Sequence, residues 1–151
     1  MSEHIATLTW ERGDAAFDYK TYSRNHTWDF GHSLTVTASA APAFLGDESK
    51  IDPEQAFVAS LSSCHMLTFL AIASMRGITV ERYVDRAVGH LEKNESRKPV
   101  ITRVDLYPEI TFADGQTPDA AALEKLHHLA HAECFLANSV KCEIVTHLPD
   151  S

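Results

Sequence analysis

The sequence predicts an α+β domain, and three observations carry the prediction. Residues 56–75, AFVASLSSCHMLTFLAIASM, contain no Asp, Glu, Lys or Arg, and a helix apolar all round is a buried one. Segments with the two-residue alternation of strands stand on both sides of that run. A second helix-patterned segment and a final alternating segment complete the chain. Strands, a long central helix, strands, a helix and a strand, without repeats or a low-complexity linker, make a single α+β domain over residues 1–151.

Taken in order, ATLTW (6–10) and SLTVTAS (33–39) alternate like half-buried strands, and TYSRNHTWDFG (21–31) joins them with mixed strand and turn character. APAFLGDESKID (41–52) carries Pro, Gly and several acids, which marks a surface loop. Asp52 is then a natural N-cap, Pro53 suits the first helical position, and Glu54 favours the positive end of the helix dipole. The helix should stop near Arg76 and Gly77. Phe57, Leu61, Cys64, Thr68, Ala71 and Met75 recur at spacings of four and three, so Cys64 sits on a largely apolar stripe. VERYVDRAVGHLEKN (80–94) and VITRVDLYPEITF (100–112) read as two long strands around a polar ESRKP turn, although Val80, Val84 and Val88 also fit a helical period. Residues 114–134 read as the second helix, with Thr117 as cap and Pro118 in the first turn, and VKCEIVTHL (140–148) as the closing strand.

Composition narrows the function. The chain has 151 residues, 44% of them hydrophobic, which suits one ordinary core. Thirteen Lys and Arg against twenty-one Asp and Glu leave a formal charge of −8, which disfavours nucleic acid and anionic membranes. The run at 56–75 is long enough to span a bilayer, but its serines, His65 and Thr68 and the lack of flanking aromatic belts favour a helix buried in protein. The first twenty residues show no basic segment followed by an apolar one, which predicts a cytoplasmic protein whose thiols stay reduced. Three cysteines with no C-x-x-C argue against a disulfide framework and a zinc ribbon.

A lone Cys on an apolar stripe is usually a small buried hydrophobe, and Cys142, in the closing strand, takes that reading. Cys64 and Cys134 differ, because each follows a helical segment rich in small or polar residues and a second thiol offers the first a resolving partner. DPEQAFVASLSSCHMLTFLA, with an acid ten residues before the Cys, and AHAECFLANS, whose Cys lies seventy residues beyond the first, resemble the OsmC/Ohr family of osmotically inducible and organic hydroperoxide resistance proteins. The resemblance covers most of the chain. It implies an OsmC-like fold of antiparallel strands around a long buried central helix, assembled as an intertwined homodimer with sites at the subunit interface. It also implies a thiol peroxidase in which Cys64 is the peroxidatic cysteine, Cys134 the resolving cysteine, Glu54 the acid before the helix and Arg24 the activating arginine. Phe135 departs from the family, which often has Pro directly after the second Cys.

The implied chemistry agrees with these residue types. A thiol of pKa about 8.5 needs a nearby cation to form the attacking thiolate in apolar surroundings. Arg24 could supply it, with Arg12, Arg76 and Arg97 as the other candidates. The apolar stripe would accept the tail of an organic hydroperoxide. Attack on the distal oxygen releases an alcohol and leaves Cys64 as a sulfenic acid, which condenses with Cys134 to a disulfide that a dithiol, in the family often a dihydrolipoyl group, must reopen. No metal, flavin, haem or nucleotide is implied. Ten helical residues separate Glu54 from Cys64 by roughly 15 Å and about 280°, so if Glu54 orients Arg24 near a Cys64 thiolate, as the resemblance implies, it does so for the thiol of another subunit. Two other readings stay open. His127, His131 and Cys134, spaced four and three apart, could face one metal ion, and the chain could be a nonenzymatic redox sensor of the same fold. Trp10 and Trp28 read as strand packing, and Ser60, Ser62 and Ser63 as helix residues allowing close approach.

Overall fold

The computed structural model describes residues 1–149, which cluster into two compact units, Met1–Ala56 and a second that begins at Phe57. In the first unit β1 (Thr7–Thr9), β2 (His26–Asp29) and β3 (Thr35–Ala38) form an antiparallel meander in that order. Gly31, at φ 78°, begins the reversal between β2 and β3, where the Phe30 N–H reaches the Leu34 carbonyl at 3.0 Å. Residues 42–44 make one 3-10 turn inside the loop predicted there. β1 ends before Trp10, which is 40% exposed and packs on Phe17 and Tyr22. Trp10 is thus loop packing and not the strand residue predicted.

Helix α1 spans Pro53–Met75, and its two ends follow the signals in the sequence. The Asp52 carboxylate accepts the Gln55 N–H at 2.7 Å while the Gln55 side chain accepts the Asp52 N–H at 3.2 Å, a reciprocal capping box. Gly77 at φ 71° ends the helix, with its N–H on the Ser74 carbonyl and that of Ile78 on the Ala73 carbonyl. This is a Schellman closure that needs a left-handed residue. Only Leu61, His65, Phe69 and Ala73 of α1 are buried, a four-residue recurrence that forms one stripe. The expected burial on nearly all sides is therefore absent from the single chain: Leu67 is 60% and Met75 79% exposed. Cys64 borders the buried stripe, half-buried, one position from His65.

In the second unit the two predicted long strands are four. β4 (Val80–Asp85), β5 (Val88–Lys93), β6 (Pro99–Leu106) and β7 (Pro108–Phe112) pair as β4 with β7 and β5 with β6, both antiparallel. Asp85 lies opposite Pro108 and Val88 opposite Asp105, so one long hairpin is interrupted at matching points. There the Asp85 carboxylate accepts the Tyr107 N–H at 2.7 Å and the Ser62 hydroxyl of α1, side-chain bonds where the ladder lapses; Pro108 has no N–H to give.

Helix α2 (Ala120–Glu133) begins later than predicted, capped by Asp119, whose carboxylate accepts the Ala122 N–H at 2.8 Å. Thr117 is not the cap, because Asp119 is as good an acceptor and lies after Pro118. β8 (Glu143–Thr146) joins β6 in parallel, the exception to the antiparallel expectation. A crossover containing α2 separates β8 from the hairpin, and such a connection permits parallel pairing.

Two core clusters result. Leu61 packs with Val104 and Leu106 under the β5–β6–β8 sheet, where Cys142 also lies as a packing residue. Phe69 and Ala73 pack with Leu126 and Ala130 of α2 and with side chains of β4 and β7. Cys64 and His65 fall on α1 between Leu61 and Phe69, the members of these two clusters.

Candidate active site

Three cysteines are free among the described residues, and the fold brings two of them together. Cys64 projects half-buried from the middle of α1, and Cys134, the residue that closes α2, is 1% exposed. Burial pushes the Cys134 thiol up, and a hydrogen bond to the Cys64 side chain together with the charge there pushes it further. The N–H of Ala137, 3.4 Å from Cys134 Sγ, acts in the opposite direction. A buried thiol that keeps its proton thus sits against a more accessible one. Two neighbouring thiols can form a disulfide, and the more accessible sulfur is the one open to attack from outside.

Next to the thiols lies a pair that the sequence reading left out. His65, 2% exposed, and His127, 4% exposed, share a hydrogen bond of 3.0 Å between His65 Nε2 and His127 Nδ1. Their ring planes differ by 1°. Phe69 packs on His127 with ring centroids 4.5 Å apart. Burial lowers both imidazoles to about 4, so the pair is neutral. Among the described residues, His65 Nδ1, His127 Nε2 and the Tyr83 hydroxyl have no partner. The Tyr83 phenol is pushed well above its ordinary range, by burial first and then by Asp85. No periodicity argument pairs residues 62 apart, although two histidines on apolar helix faces were a usable hint.

Arg24 and Glu54, both in the first unit, line one groove of about 600 Å³ together with Trp10, Phe17, Tyr22 and Phe44. The guanidinium donates to the Tyr22 carbonyl at 2.6 Å and to the Tyr19 carbonyl, and lies 3.7 Å from the centroid of the Tyr22 ring. Among the described residues no ion pair joins it to Glu54. Backbone carbonyls and an aromatic face orient the arginine within the chain.

The metal reading built on His127, His131 and Cys134 finds no support. Among the described residues no group of three or more His, Cys, Asp or Glu could hold a metal ion, and His127 and Cys134 are engaged with His65 and Cys64. The other dense polar cluster lies on the β5–β6–β8 sheet. Asp105, 3% exposed, accepts from His90 at 2.6 Å, His147 at 2.8 Å and Arg103 at 3.0 Å. Burial opposes its charge, but the bonds from His147, His90 and Arg103 prevail and hold the carboxyl down at about 2. These contacts tie β5, β6 and the residue after β8 together, a structural role.

Comparison with known proteins places this arrangement. The family of OsmC-like proteins matches residues 46–148. An OsmC-like protein of unknown function from Vibrio cholerae O1 is 49% identical, covers 99% of this chain and 100% of its own, and superposes with a TM-score of 0.94. The organic hydroperoxide resistance protein OhrB of Bacillus subtilis is similar in fold at 18% identity, with 98% of each chain covered and a TM-score of 0.66. An organic hydroperoxide resistance protein from Elizabethkingia anophelis is similar at 17% identity, covering 100% and 98%, with a TM-score of 0.75. Curated protein sequences contain no match. The match over 46–148, which takes in α1, both thiols and the whole β4–β8 framework, means that the chain belongs to the OsmC-like protein family.

Proposed function

We propose that the protein is a cysteine-based thiol peroxidase that reduces organic hydroperoxides to alcohols. The observation that carries the reading is the contact between half-buried Cys64 and buried, proton-retaining Cys134. The Cys64 thiolate attacks the distal peroxide oxygen, the O–O bond breaks, and the alkoxide leaves as the alcohol after taking a proton. Cys64 is then a sulfenic acid, and Cys134 displaces water from it to form the disulfide. A dithiol supplies two electrons and two protons to reopen the bond. Family resemblance assigns Arg24 and Glu54 to activation of the thiol, and the aromatic lining of their groove suits an apolar substrate tail.

The reading includes a homodimer. Leu67 and Met75, exposed on α1, are apolar surface of the kind that a second copy covers. It also places the enzyme in the cytoplasm, where reduced dithiols are at hand. A steady-state assay with dihydrolipoamide tests the function, comparing hydrogen peroxide with cumene, tert-butyl and fatty-acid hydroperoxides. Turnover that favours the organic substrates is expected; no dithiol-dependent turnover with any of them would refute the peroxidase reading.

A further inference from the structure

We propose that His65 and His127 are positioning residues for the dithiol: their buried hydrogen bond sets the register of α2 against α1 that keeps Cys134 within bonding reach of Cys64. The inference rests on the reading of Cys64 and Cys134 as a redox pair. The two contacts join the same two segments, with Cys64 and His65 adjacent on α1, and His127 on α2 seven residues before Cys134, which closes that helix. Seven residues are close to two full helical turns, so His127 and the chain entering Cys134 share one face of α2. A disulfide tolerates little slippage, since its Cβ atoms must lie roughly 3.5–4.5 Å apart.

The rest of the packing between these helices does not supply that precision. Phe69, Ala73, Leu126 and Ala130 are apolar, and dispersion contacts of that kind change gradually as one helix slides on another. A hydrogen bond 3.0 Å long between rings parallel to within 1° is lost over about an ångström. Two buried polar side chains cost stability compared with an apolar pair, and the best-attested return for such a cost is a defined register. The pair is also neutral, so it adds no charge beside the sulfur atoms.

The test uses the whole 151-residue chain and glutathione in place of peroxide. Glutathione disulfide accepts two electrons from the dithiol, the two thiol protons pass to two released glutathione molecules, and mass spectrometry after alkylation locates the bond formed. The double substitution His65→Leu with His127→Leu leaves no unpaired imidazole and should fold, as circular dichroism and thermal melting will show. Its equilibrium constant for the Cys64–Cys134 disulfide is expected to fall about tenfold, equivalent to a rise of about 30 mV in reduction potential. Mixed disulfide at Cys64 should accumulate.

Conservative variants separate positioning from bulk. An Asn amide can occupy the place of His127 Nδ1, and a Gln amide that of His65 Nε2. His127→Asn and His65→Gln should therefore stay within threefold of the wild-type constant even where melting temperature drops. A folded Leu pair within twofold of wild type would overturn the proposal, as would an Asn or Gln variant that loses as much as the Leu pair. If the wild-type chain forms no Cys64–Cys134 disulfide in glutathione, both the redox-pair reading and the positioning role fail. If it forms the disulfide with the predicted variant pattern but turns over no hydroperoxide, only the peroxidase reading fails.

Discussion

Cys64 and Cys134 sit against each other but in different surroundings, and their substitutions should separate the two halves of the cycle. Cys64→Ser should abolish hydroperoxide reduction. Cys134→Ser should consume about one equivalent and stall as a sulfenic or overoxidised form, visible by mass spectrometry. First oxidation at Cys134 or Cys142 with Cys64 intact would reverse the assignment. Arg24 is held by the Tyr19 and Tyr22 carbonyls and the Tyr22 face, so its charge is preorganised. Arg24→Ala should slow the first oxidation by about tenfold or more, read as the rate of peroxide consumption in a single turnover. Arg24→Lys keeps the charge but not the two-carbonyl fork, and should fall between.

At the scale of elements, α1 must approach the β5–β6–β8 sheet closely, and Gly89 permits it. A Cβ on Gly89 would lie 2.4 Å from Val58 Cγ2, closer than side-chain atoms tolerate. Gly89→Ala should cost about 1–3 kcal/mol of stability in urea unfolding, the usual range for overpacking. Val58→Ala in the same chain should recover most of it, which a merely local strand effect would not allow. The hairpin interruption between β4 and β5 has a comparable logic. Asp85 takes the Tyr107 N–H and the Ser62 hydroxyl, so a polar side chain from α1 faces the point where the ladder lapses.

For the whole molecule, α1 leaves apolar side chains uncovered in a single chain. Sedimentation is expected to give a dimer, and Leu67→Asp to give a monomer of reduced activity; a monomeric wild type would remove the assembly. Acid stability follows from two buried groups. Burial holds His65 and His127 neutral, at about 4 against an ordinary 6.5, so the unfolded chain binds more protons over that interval. Stability must fall as pH drops through it, by an amount on the order of a few kcal/mol. Asp105 adds a second loss as pH falls from 3.8 to about 2, where its carboxylate finally protonates against the bonds that hold it charged. Urea unfolding at a series of pH values checks both, and the Leu pair should flatten the first slope alone.

Local chemistry made much of this protein legible in the sequence. The caps Asp52 and Gly77, the alternation of the strands and the Asp-Pro-Glu run before a charge-free helix each depend on residues a few positions apart, and α1 begins and ends where they say. The two thiols were legible through their family resemblance. What the sequence could not show is which face of α1 meets which partner, because its apolar residues occur all round, and the stripe read through Phe57, Leu61, Cys64, Thr68, Ala71 and Met75 is not the one that is buried. Packing chose Leu61, His65, Phe69 and Ala73. Hence the tertiary structure alone decided that His127 bonds to a histidine 62 residues away, and that Cys64 borders the core without lying in it. It also decided that two long strands break at Asp85 and Tyr107, where side-chain hydrogen bonds replace the ladder. Pairings between distant residues are set by how the elements pack, which local periodicity does not encode.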